Sequence, residues 1–253
     1  MLKALAWKEW REQRPLMLTG MALCVAMPFF LAAGMSVVET RQGFRGLAEM
    51  LSLTLALVIW PLFAAAAGAT TISTEIDDGT LRFLLSRPVS RRAVWAIKVL
   101  MASVSAFAVV AFSLLVVEAF NFWAFGGVDV ERFSLDRVLR HFGPSPFDLV
   151  NVASVSLLLF ACAVFFSTFL AGPLTAAAAG LALSLTILTG IFVLWSRFSL
   201  VPRFEPQWLA TAIALTALLI LMASLVLFAR AELFRASLHF STAVVARGRR
   251  GAR

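Results

Sequence analysis

The stretch Glu75–Arg92, EIDDGTLRFLLSRPVSRR, stands between two long apolar runs and decides how both are read. Asp77-Asp78-Gly79 ends the helix before it, because glycine accepts the left-handed conformation of a helix C-terminus. Thr80 is placed to cap a new helix. The next six residues, LRFLLS, give two turns at most, with Leu81, Leu84 and Leu85 at i, i+3 and i+4 on one face. Pro88 stops that helix, and Ser90 caps one that continues into the next apolar run. A helix this short does not stand alone in water, so it must rest on lipid, on its own chain or on a partner. The residues leave two readings open. One is a surface loop whose leucines dip into lipid while its arginines meet phosphates. The other is a knob fitting a groove in a cytoplasmic protein.

Outside this stretch the chain is oily. Of its 253 residues 61% are hydrophobic and 14% charged, where a soluble domain carries about 25% charged residues. Apolar runs of this length read as membrane spans. The expectation is an all-α integral membrane protein: one transmembrane domain over 1–253, with six spans at about 16–38, 50–72, 94–120, 149–170, 173–195 and 208–228. Residues 1–14 read as an amphipathic interface helix, with Leu2, Leu5, Ala6 and Trp10 on one face and Lys3, Lys8, Arg11 and Arg14 toward water or headgroups. The loop after the third span, with Val130, Phe133, Val138, Leu139 and Phe142 among charges, reads as an amphipathic helix on the outer surface. Residues 229–253 form a basic tail held near anionic lipid.

The net charge of +8 would suggest nucleic acid in a soluble chain. Here its distribution has a simpler cause. Fifteen of the Lys and Arg residues fall on the side shared by both termini and the 73–92 segment, seven on the other. Positive charge stays inside, so both termini are expected in the cytoplasm and no nucleic-acid partner is expected. Cys24 and Cys162 lie inside apolar runs with no His or second Cys beside them, and His141 and His239 fall on opposite sides, so no metal site is expected.

Inside the spans, Glu118 is the one clear acid; near the outer end of the third span it either reaches water or a neighbouring helix, or serves cargo or protons. Pro28 and Pro61 each free a carbonyl in mid-span, as a static kink or a hinge. Gly172, Ala176, Gly180 and Ser184 recur every fourth residue, a small-residue face that lets helices approach closely. That face packs within one subunit, joins two subunits or walls a pathway.

The stretch EIDDGTLRFLLSRPVSRRAVWAIK resembles the cytoplasmic signature of ABC type-2 transporter permeases: Glu75, Gly79, Thr80, Leu81, Leu84, Leu85, Pro88, Val89, Ser90, Arg91 and Lys98 match it. The opening WKEWRE is similar to the K-E surface helix that begins many such permeases, and the six-span layout agrees over the whole chain. Within the family the chain is most similar to the small permeases of the group that includes the nitrous-oxide reductase maturation permease. The resemblance implies that residues 75–92 hold a coupling helix docked on an ATP-hydrolysing subunit. Leu81, Leu84 and Leu85 would be the knob, with Glu75 to Asp78, Arg82, Arg87 and Arg91 as polar rim. It also implies two permease copies, or this chain with a related permease, and two ATPase copies, with ATP and Mg bound by the ATPase. The family assigns the pathway partly to spans two and five.

The chain has no G-x-x-x-x-G-K-[ST] phosphate loop, so if transport is ATP-driven the ATPase is expected to be a separate chain, and this one is not expected to be an enzyme. An intramembrane enzyme would need a paired acid and base or a metal motif. An ion-driven secondary transporter would need ionisable groups at mid-membrane, for which Glu118 alone speaks. A membrane anchor without transport is the remaining alternative. Spans lined by Ala, Leu, Val and Phe suit an apolar or amphipathic cargo leaving the cell.

Overall fold

A computed structural model of the chain describes residues 2–34, 51, 54–80, 90–124, 146–198 and 207–230. Among these all regular structure is helical. The helices are α1 (Leu2–Gly34), a π-helical turn (Leu55–Ile59), α2 (Trp60–Ala69), α3 (Ser73–Asp77), α4 (Arg91–Ala124), α5 (Pro146–Ser167), α6 (Pro173–Phe198) and α7 (Gln207–Ala229). Among the described residues five stretches are long and apolar enough to cross a membrane: Leu55–Asp77, Arg91–Phe120, Val150–Ser167, Pro173–Ile191 and Trp208–Ala229. The first expected span falls in α1, with residues 35–38 outside the described part. The expected outer amphipathic helix and the basic tail beyond residue 230 also lie outside it.

Two expectations change. The interface helix over 1–14 is not a separate element; α1 runs through Pro15 without a break. Glu9, Gln13, Met17, Gly20, Cys24 and Pro28 are all buried, and their spacing of three and four residues keeps one continuous face against the bundle. A single buried stripe outweighs the one hydrogen bond that Pro15 removes. The second span is not one helix either. Pro61 has no N–H to give to the preceding turn, and the chain widens to a π-turn just before it. A second break follows at Thr70–Ile72, which detaches the short α3 from α2.

α5 forms the centre, packed against α2, α6 and α7, and residues 158–164 (LLFACAV) are buried all round. α1 lies along α4. The contacts fix the directions. Glu9 meets Lys98, and Gly20 lies against Val109 further along both helices, so α1 and α4 run parallel. Gly68 meets Phe160 and Thr71 meets Ser167, so α2 and α5 run parallel as well. The starts of α1 and α4 and the end of α3 therefore gather at one end of the bundle.

Buried hydroxyls and indoles tie the rods laterally. Trp60 Nε1 donates to Ser113 Oγ at 2.7 Å, Trp95 Nε1 donates to Ser224 Oγ at 3.1 Å, and Thr71 Oγ1 and Ser167 Oγ are 2.8 Å apart. Such bonds between membrane helices contribute modestly. Thr71→Val is expected to lower stability by about 1 kcal/mol, read as a small fall in the thermal midpoint of the detergent-solubilised protein.

Candidate functional site: a buried charge cluster at the root of the 75–92 stretch

α3 ends at Asp77 because Gly79 takes a φ of 69°, open to a residue without Cβ, and its N–H bonds back to the Ile76 carbonyl at 3.2 Å. α4 begins after Ser90, whose Oγ accepts from the Ala93 N–H at 3.3 Å. Thr80 is the last described residue before the helix it is expected to cap, which lies outside the described residues. Its hydroxyl turns back and donates to Glu75 Oε2.

Glu75 also departs from the expected polar rim. Its side chain points into the bundle and is 3% exposed, whereas Asp77 and Asp78 face outward. The reason is the company it keeps. Lys8 Nζ lies 2.5 Å from Glu75 Oε1, and Lys98 Nζ lies 3.2 Å from the same oxygen. Lys98 Nζ is also 2.6 Å from Glu9 Oε1. Lys98 is 1% exposed and Glu9 2%. A buried charge is tolerated only when paired and hydrogen-bonded, and this group of two acids and two lysines is neutral in sum.

Each element supplies its member for a local reason. Glu9 sits one turn before Gln13 on the buried stripe of α1. Glu75 stands in the first turn of α3, where a negative charge suits the helix N-terminus. Lys98 lies on the buried line of α4 that continues through Ala102, Ser105 and Val109. Beside them Gln13 Nε2 donates to Thr70 Oγ1 at 3.3 Å, and Ser105 Oγ donates to Gln13 Oε1 at 3.5 Å.

Glu9 and Lys8 precede the first apolar run. Burial pushes the Glu9 carboxyl above its ordinary range, against the pull of Lys98. Burial works against the Lys8 ammonium, yet the hydrogen bond and charge of Glu75 outweigh it and hold its pKa above the usual lysine value. Carboxylate oxygens of Glu9, Glu12 and Glu75 come within 4.8 Å of one another. The lysine ammoniums supply the countercharge that a cation would otherwise bring. The Glu9 and Glu75 carboxylates are met by ammoniums, an arrangement that ties α1, α3 and α4 together.

Leu81, Leu84, Leu85, Arg87 and Pro88 lie outside the described residues. Arg91 is half-buried at the start of α4. Ala176 and Ser184 are fully buried, and Gly180 presses on Ala163 of α5, so the small-residue face of α6 packs within this chain; Gly172, with φ 91°, forms the turn before it. Pro61 lies at the start of α2. Glu118 Oε2 and Asn151 Oδ1 are buried without a hydrogen-bond partner among the described residues. The cluster's use of Glu9 was not read from the sequence, where it looked like one charge in a polar lead. The available signal was its i, i+4 spacing to Gln13 and on to Met17.

No curated protein matches the sequence. The family described as ABC-2 family transporter protein matches residues 4–243, from the charged opening of α1 past the last span. That match covers nearly the whole chain, takes in both halves of the cluster and agrees with the multi-span helical fold, so the chain belongs to the ABC-2 transporter family, as a membrane-embedded permease whose family implies an ATPase partner.

Proposed function

We propose that this permease is the membrane half of an ATP-driven exporter whose ATPase, a separate chain holding ATP and Mg, docks on residues 75–92. Leu81, Leu84 and Leu85 are the apolar knob, with Asp77, Asp78, Arg87 and Arg91 around it. The transporter contains two ATPase copies and two permeases, either two of this chain or this chain with a related one. It lies in the cell's inner membrane with both termini in the cytoplasm, and is similar to the small permeases of the nitrous-oxide reductase maturation group. Its cargo is apolar or amphipathic, a lipid, lipopeptide or hydrophobic drug, in keeping with spans lined by Ala, Leu, Val and Phe.

The observation that carries this reading is the buried Glu75–Lys98 pair. It joins Glu75, the first residue of the stretch at the foot of the second span, to Lys98, beyond the stretch's other end at the foot of the third. A push on a segment rooted in this way reaches two rods at once.

The test is retention of the ATPase by the permease during purification. Leu84→Asp with Leu85→Asp is expected to release the ATPase while the bundle still elutes as a single folded species, because anchors in a groove dominate such binding. Undiminished retention would rule out the knob. Stimulation of ATP hydrolysis by the reconstituted pair, measured across lipids, lipopeptides and hydrophobic drugs, identifies the cargo class.

A further inference from the structure

Glu75 and Lys98 are the first and last matched residues of the signature-like stretch, and Glu9 belongs to the opening KEWRE. These two separate pieces of sequence meet at one ammonium, that of Lys98. A lysine gripped by carboxylates from two other elements resists the departure of any one of them, because separation leaves a charge unpaired away from water. α1 has two further ties to the same place: Lys8, whose ammonium lies 2.5 Å from Glu75, and Gln13, which bonds Thr70 at the head of the Thr70–Ile72 turn and Ser105 of α4. α3 is thus joined to its own rod by a turn, and to α1 and α4 by charge.

We propose that Glu9, Glu75 and Lys98 are positioning residues that make α1 a third moving rod of the coupling apparatus: displacement of α3 by the docked ATPase passes through Lys98 to Glu9 and so to the first span. The inference rests on the docking reading above and adds an element with no part in the 75–92 stretch. The exposed partner of this face, Glu12, contacts Lys8 at 3.4 Å and is outside the relay.

The experiment uses the full chain with its ATPase, in a background with Cys24→Ala and Cys162→Ala. A nitroxide is placed on α1 through Leu18→Cys or on α4 through Leu100→Cys, both exposed positions. Spectra are compared without nucleotide and after trapping with ATP and vanadate. With the cluster intact both labels respond. Glu9→Gln is mild, since Glu75 still pairs Lys98. With it the ATPase is expected to remain bound and the α4 label to respond in full, while the α1 response is reduced, since Lys8 still holds Glu75. Glu12→Gln is expected to leave both responses whole. Gln13→Met, which cuts the Gln13 tie without touching a charge, is expected to weaken the α1 response alone.

An α1 response that survives Glu9→Gln undiminished overturns the proposal, as does an α1 label silent in the intact cluster. Loss of both responses with the ATPase still bound also overturns it, because Glu9 would then be holding α4 and not linking α1. Failure of the intact permease to retain any ATPase sinks the docking reading, and this inference with it.

Discussion

Replacing Lys98 by Met is expected to cost the folded bundle about 3–5 kcal/mol, among the largest single losses in this chain. The side chain volume is nearly kept, so the loss is electrostatic. Glu9 has Lys98 as its ion-pair partner, at 2.6 Å, and is itself buried. Without the ammonium that carboxylate must take up a proton or draw in water, and either course disrupts the packing of α1 on α4. Glu75 is better protected, because Lys8 and the Thr80 hydroxyl remain. Lys8→Met should therefore be far milder, about 1 kcal/mol or less, since Lys8 is partly exposed and water screens its pair. Glu9→Gln combined with Lys98→Met is expected to recover part of the loss, because it removes the orphaned charge as well as its partner. Thermal midpoints in detergent decide the matter. A Lys98→Met protein that melts with the parent would mean that the cluster is not the tie described here.

The apolar spans were legible because crossing a membrane takes about twenty apolar residues in a row, a demand that leaves a direct mark on sequence. The cluster left no such mark. A lysine or glutamate flanking an apolar run reads as solvent-facing, and the partners of Lys98 stand 89 and 23 residues away. Only the folded bundle brings Glu9 and Glu75 together. Pro61 announced an interruption, but not the π-turn that absorbs it, and the Thr70–Ile72 break carries neither glycine nor proline. The small residues of the fifth span showed that something packs closely there. They did not say that the neighbour is Ala163 of the same chain, because a small-residue face is equally suited to a helix of another subunit.

Gly68→Val is the second substitution expected to do severe damage, about 3 kcal/mol by overpacking. A Cβ at Gly68 would lie 2.6 Å from the Phe160 carbonyl oxygen and 3.2 Å from the Val164 nitrogen, both backbone atoms of α5. Backbone cannot turn aside as a flexible side chain can, so α2 and α5 would have to part. Gly180 faces the same limit at the same part of α5, with the Ala163 Cα and nitrogen each 2.8 Å from its added Cβ. Gly190 is the control, for nothing lies within 4 Å of a Cβ there. In the middle of α6 an alanine at that position should stabilise the helix by up to about 1 kcal/mol. The three glycines thus predict an order of thermal midpoints for one substitution: Gly190→Ala at or above the parent, Gly180→Ala and Gly68→Ala well below it. The order also separates packing from assembly. Were Gly180 pressed against a second subunit, Gly180→Ala would lower the oligomeric state and leave the monomer's midpoint alone; a depressed midpoint at unchanged oligomeric state places its neighbour in α5.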